Sequence, residues 1–134
     1  MIRLKGIEGL EKEHYTRLKE AGILSVEALL DKGSSPEGRS ELAKSSGIAE
    51  AQLLRWLNIA DLFRIRGIGE EYADLLELAG VETISELAES DPRTLHRMLI
   101  GANEKKPLVR QLPSVNQVKS WIDQARHLPK IVKY

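Results

Sequence analysis

Gly67-Ile68-Gly69, with Arg64 and Arg66 just before it and Glu70-Glu71 just after, is the stretch of this chain best suited to holding a ligand. Two glycines around one apolar residue let a backbone approach closely. A helix that starts at once behind them offers unpaired amides and the positive end of its dipole, a combination that receives phosphate. In that role the amides of 67–70 face the anion, and Arg64 and Arg66 add charge. Two weaker versions lie upstream. Gly9-Leu10-Glu11 lacks a second glycine but is followed by Lys12. Ser46-Gly47-Ile48 has Lys44 before it and Arg55 beyond. The candidate residues for contact with a DNA or RNA backbone are therefore Gly9, Lys12, Lys44, Gly47, Arg64, Arg66, Gly67, Ile68 and Gly69.

The charge pattern also supports a different use. Residues 67–92 hold eight acids (Glu70, Glu71, Asp74, Glu77, Glu82, Glu86, Glu89, Asp91) and no Lys or Arg, a net of −8. Residues 101–134 hold seven bases against Glu104 and Asp123, a net of +5. An acidic 70–91 face suits a protein partner or a second copy of the chain. The residue after each turn is the discriminating feature, basic for phosphate and acidic for protein. This chain is divided: Glu11-Lys12, Ala49-Glu50 and Glu70-Glu71. The formal charge of zero, from 20 bases and 20 acids, argues against coating duplex DNA by bulk electrostatics, because neutralising phosphates supplies most non-specific affinity.

Catalysis finds little to work with. There is no cysteine, which excludes disulfides, thiol nucleophiles and Cys-based zinc sites. His14, His96 and His127 have no metal-ligand spacing. Glu70, Glu71 and Asp74 could meet a cation on one helix face, but a solvated acidic face is the simpler reading. No Walker loop, Gly-x-Ser-x-Gly elbow or glycosylase signature occurs. The chain reads as a non-enzyme with no catalytic residue, metal, cofactor or small-molecule substrate. No stretch approaches the 18 or so continuous apolar residues of a membrane span, and the N-terminus has no apolar leader, so a cytoplasmic protein without a membrane partner is expected.

The elements that position these turns are helices. No run alternates with period 2, and helix punctuation is frequent. Ser25, Ser35-Pro36, Thr83 with Glu86, Asp91-Pro92 and Ser114 with Gln117 have the spacing of N-caps. Gly22 and Gly80 stop the helices before them. Helices are expected near 11–21, 25–31, 36–45, 49–64, 70–79, 84–89, 92–100 and 115–127, with Ile131–Tyr134 as an extended tail. The helix near 49–64, carrying Leu53, Trp56, Leu57, Ile59, Ala60 and Leu62, is apolar over most of its circumference. It is expected to be the longest, and buried.

The chain also resembles itself. Ile7, Gly9, Leu10, Leu18, Ala21, Gly22, Ile23, Val26 and Leu29 recur 58 positions later as Ile65, Gly67, Ile68, Leu76, Ala79, Gly80, Val81, Ile84 and Leu87. Trp56-Leu57-Asn58 recurs as Trp121-Ile122-Asp123, now 65 positions later. About seven extra residues, most simply 101–107, separate the two offsets. Leu112-Pro113-Ser114 takes the place of Ser46-Gly47-Ile48 without a glycine. Both tryptophans suit a core better than a base-stacking platform, and Tyr15 and Tyr72 sit near equivalent positions. An all-α fold of two fused repeats follows, residues 1–64 and 65–134, around the 49–64 helix and ending in a basic tail.

The run Leu62–Leu76, an apolar helix, then Gly-Ile-Gly, then Tyr72-Ala73 and Leu75-Leu76, resembles the helix-hairpin-helix superfamily. The stretches 38–48, 56–69 and 112–121 together resemble an uncharacterised bacterial helix-hairpin-helix family known only as a domain of unknown function. The resemblance implies two tandem helix-hairpin-helix units. Through the superfamily it implies backbone binding without base readout, with no established activity for the family itself.

Overall fold

The computed structural model describes Leu4, Ile7 and residues 10–134. Among these residues the chain is all α-helical: α1 (Lys12–Glu20), α2 (Val26–Gly33), α3 (Pro36–Ser46), α4 (Glu50–Leu62), α5 (Glu70–Leu78), α6 (Ile84–Glu89), α7 (Pro92–Lys105) and α8 (Val115–His127). None of these helices is long and apolar enough to cross a membrane.

The caps expected from sequence are formed. The side chains of Ser25, Ser35, Thr83, Asp91 and Ser114 accept from backbone N–H groups at the starts of α2, α3, α6, α7 and α8. Each satisfies one of the donors that a helix start leaves over. Ser114 and Gln117 complete a reciprocal capping box. The carboxyl of Asp91 is held below its usual range, first by the Thr94 backbone N–H and then by the Thr94 hydroxyl.

The chain divides into two compact units, one of residues 1–61 with 130–134 and one of residues 62–129. In the first unit α2 and α1 both pack on α3. Its core includes Leu18, Leu29, Leu42, Leu53, Trp56 and Leu57. The position of the Leu57 side chain leaves no room for a β-carbon on Gly33, which would lie 2.7 Å from Leu57 Cδ1. Arg39, only 6% exposed, donates from Nη1 to the Gly33 carbonyl and from Nη2 to the Lys133 carbonyl. Lys133 N–H in turn donates to the Ser34 carbonyl at 2.7 Å, and Tyr134 Oη donates to Asn58 Oδ1 at 2.6 Å. Residues 131–134, expected as an extended tail of the second repeat, lie outside any helix and group with the first unit. The buried guanidinium is one of the groups that hold them.

In the second unit α8 packs on α6 and α7, and α5 on α7. Leu75, Leu76, Leu87, Leu95, Leu99, Val118 and Trp121 form its core. The longest helix among the described residues is α7, with 14 residues against 13 for α4. Gly101 did not end it: the half-exposed position has open space around it and ordinary helical backbone. The connection 106–114 is fixed by Asn103, whose Oδ1 accepts from Leu108 and Val109 N–H. It is also fixed by Tyr72 Oη, which donates to the Gln111 carbonyl. The Pro113 carbonyl can only accept, so His96 is protonated on Nε2 in the 2.9 Å bond between them.

Candidate functional site

The turn before α5 is built by two hydrogen bonds and one close approach. Ile65 N–H donates to the Leu62 carbonyl and Ile68 N–H to the Ile65 carbonyl, so the chain folds back within a few residues. Ile65 and Ile68 are 1% and 3% exposed and fill the core beneath it. Gly67 lies between them at φ 99°, a conformation that costs a residue with a β-carbon strain. A second constraint bears on it: a Cβ here would stand 2.9 Å from Trp121 Nε1. From the same helix, Gln124 Oε1 accepts from Arg66 N–H at 2.9 Å, and Gln124 Nε2 donates to the Arg66 carbonyl at 3.1 Å. The turn is thus clamped by two residues of α8.

Gly69 is different. It is extended (φ −103°, ψ −165°), exposed, caps α5 without a side chain, and has open space where a Cβ would stand. The first N–H groups of α5 lie just behind it and have no partner within the helix. The Arg66 side chain is exposed beside them. So are Glu70 and Glu71, which suit the helix dipole and repel a phosphate there. Arg64 is half-buried, and its Nη2 donates to the Pro129 carbonyl at 3.0 Å.

The turn before α4 has the better electrostatics. Gly47, at φ 72°, ends α3 in the left-handed region with its N–H on the Ala43 carbonyl. Ser46 Oγ donates to the Leu42 carbonyl and accepts from Ile48 N–H. The N–H groups of the exposed Ala49 and Glu50 remain at the start of a 13-residue helix. The guanidinium of Arg17 stands over this turn, its Nη1 3.8 Å from where a Cβ of Gly47 would be. Arg17 also pairs with Glu13 at 2.7 Å, both side chains being exposed. Lys44 is exposed in the last turn of α3.

Of the residues expected from sequence, Lys44 and Gly47 come together at one turn, and Arg66, Gly67, Ile68 and Gly69 at another. Lys12 is exposed at the start of α1. Gly9 lies outside the described residues. Arg17 belongs with the Gly47 turn, although its position in the middle of α1 gives no local sign of it. Gln124 also escapes the pattern, since its counterpart 65 positions earlier is Ile59.

An aromatic ring against tryptophan occurs in both units. His14 meets Trp56 edge-on, ring centroids 5.1 Å apart, and Tyr72 meets Trp121 at 5.2 Å. The residue 58 positions before Tyr72 is His14, not Tyr15, and Tyr15 is 37% exposed. Both tryptophans are buried, at 0% and 2% exposure. His14 Nδ1 accepts from Glu11 N–H, so a neutral ring carries its proton on Nε2. Among the described residues no group of three or more His, Asp or Glu side chains gathers as a metal site would require.

A model of the family described as Domain of unknown function (DUF4332) matches residues 8–128. No solved structure matches the chain.

Proposed function

The chain belongs to the family described as Domain of unknown function (DUF4332), and from that premise we propose that it is a non-enzymatic module of two related helix-hairpin-helix repeats that holds nucleic-acid backbone without reading base sequence. The observation that carries this reading is the Arg17 guanidinium laid over the left-handed Gly47 turn, just before the start of α4. A cation, a glycine turn and unpaired helix-start amides are together suited to a phosphate oxygen. Such contacts fix a backbone and carry no base information. The recurrence of the Schellman-type helix end supports the repeat: Ile23 N–H donates to the Leu18 carbonyl, as Val81 N–H does to Leu76. So does the matching pair of rings against tryptophan.

Electrophoretic titration of duplex and single-stranded DNA with the wild type and the double variant Arg17→Glu/Lys44→Glu tests this. The variant is expected to weaken binding at least tenfold while keeping its helical circular dichroism. Equal binding by both proteins would remove the Gly47 turn from the site.

A second reading has its own support. Glu70 and Glu71 are exposed at the start of α5, where phosphate binding would place bases. That favours a protein partner, or a second copy of the chain, on the acidic 70–91 surface. Light scattering across a salt series distinguishes self-association from a monomer.

A further inference from the structure

We infer that the second unit holds its phosphate in a cleft that α8 forms with the start of α7, rather than on the amides of the Gly67 turn. This rests on the nucleic-acid reading above. The cleft has a volume of about 500 Å³. One face of α8 supplies Asn116, Lys119, Ser120, Asp123 and Arg126, recurring at helical spacing, and Pro92 of α7 completes the lining. Ile122, 1% exposed, also lines the cleft.

The chemistry of this lining suits a phosphodiester. Lys119 is exposed and Arg126 presents a guanidinium, whose Nε–H is fixed on the Ala88 carbonyl at the end of α6. Its other N–H groups remain for an outside acceptor. Ser120 Oγ accepts from Gln124 Nε2 at 3.3 Å, which leaves the hydroxyl hydrogen free to donate. Asn116 adds an amide. These are donors that grip phosphate oxygens regardless of base.

The same Gln124 joins the cleft to the turn. It holds both backbone groups of Arg66 and touches Ser120. The Arg66 backbone is therefore two hydrogen bonds from the cleft, and its side chain is exposed. At the turn itself Glu70 and Glu71 oppose a phosphate. In the cleft only Asp123 does, one helical turn from Lys119 and nearly one from Arg126. The lining carries a net charge of +1, from Lys119 and Arg126 against Asp123. A strand seated on this face of α8 avoids the glutamates that the sequence places after Gly69.

The sign of the charge effects makes this testable. Fluorescence anisotropy with labelled single-stranded and duplex DNA, at about 50 mM salt and upward, would compare the wild type, Lys119→Glu, Asp123→Asn and Glu70→Gln/Glu71→Gln. Lys119 and Asp123 are both exposed, and circular dichroism checks that each variant folds. Lys119→Glu is expected to weaken binding about tenfold and to flatten the salt dependence by roughly one phosphate contact. Asp123→Asn is expected to tighten it severalfold, a gain that loss of a structural role would not give. The Glu70/Glu71 variant is expected to change it less than Asp123→Asn. If the wild type binds DNA and neither Lys119→Glu nor Asp123→Asn alters it, the α8 seat is overturned and the backbone reading stands. If the wild type binds no DNA, both fall. Binding of poly-glutamate but not DNA, abolished by Lys119→Glu, would assign the cleft to an acidic protein and overturn it as well.

Discussion

Trp121 occupies the space a side chain on Gly67 would need, its Nε1 2.9 Å from where a Cβ would stand. The residue that looks most like a phosphate contact in the sequence is therefore demanded by the core. Its left-handed backbone and the indole beside it both require glycine, with or without a ligand. Gly69, two positions on, has open space and unstrained backbone. Of the two glycines in the motif, only the first has a reason in the fold.

Gly67 and Gly69 should accordingly respond in opposite directions to substitution. Gly67→Ala combines strain at positive φ with overpacking against the indole, and is expected to cost about 2 kcal/mol or more. Gly69→Ser adds a side-chain cap where α5 has none, and is expected to stabilise by roughly 0.5 kcal/mol. Urea denaturation of both variants measures this. Equal destabilisation would show that the turn tolerates no change at either position.

Arg39 should prove structural. Its guanidinium joins the Gly33 carbonyl at the end of α2 to the Lys133 carbonyl. Arg39→Ala removes two charge-assisted bonds and buried packing, with an expected loss of about 2–4 kcal/mol. Hydrogen exchange at the Lys133 amide should accelerate more than exchange in α5–α8. Unchanged protection there would mean that the tail is held without Arg39.

Acid should weaken the start of α7 in a defined range. The Asp91 carboxyl is lowered by its bonds to Thr94, so its folded pKa lies below its unfolded value. Such a group contributes stability that is full above the ordinary carboxylate pKa of about 4 and is lost as pH falls through the folded value. The gap in melting temperature between the wild type and Asp91→Ala should therefore be widest near neutrality and close below about pH 4. A gap independent of pH would mean that the carboxylate charge plays no part in the cap. Glu41, lowered first by its hydrogen bond to Lys32 and then by the charge of that lysine, titrates in the same direction.

The helices were legible because their signals are local. A Ser or Thr followed by the right N–H three positions on, or a proline at the first helical position, fixes a helix start with no knowledge of the rest of the chain. The burial of α4 follows from a helix apolar over most of its circumference. What could not be read depends on distant partners. Arg39 sits in a polar helix, and its burial is decided by a carbonyl 94 positions away. Arg64 looks like a base waiting for phosphate until Pro129 accepts from it. Gln124 clamps a turn 58 positions earlier, and nothing in its own neighbourhood marks it. Tyr15 and Tyr72 sit near equivalent positions in the sequence, but the 58-residue offset matches Tyr72 to His14, and His14 is the ring that meets Trp56.

Backbone binding without base readout is tested most directly by titrating the wild type into two duplexes of unrelated sequence across a salt series. Dissociation constants of about 1–100 μM are expected near physiological salt, equal for the two sequences. Each contacted phosphate should contribute roughly −0.9 to the slope of log affinity against log salt. No binding at about 100 μM and about 50 mM salt, or binding that differs between the sequences and ignores salt, would contradict the account.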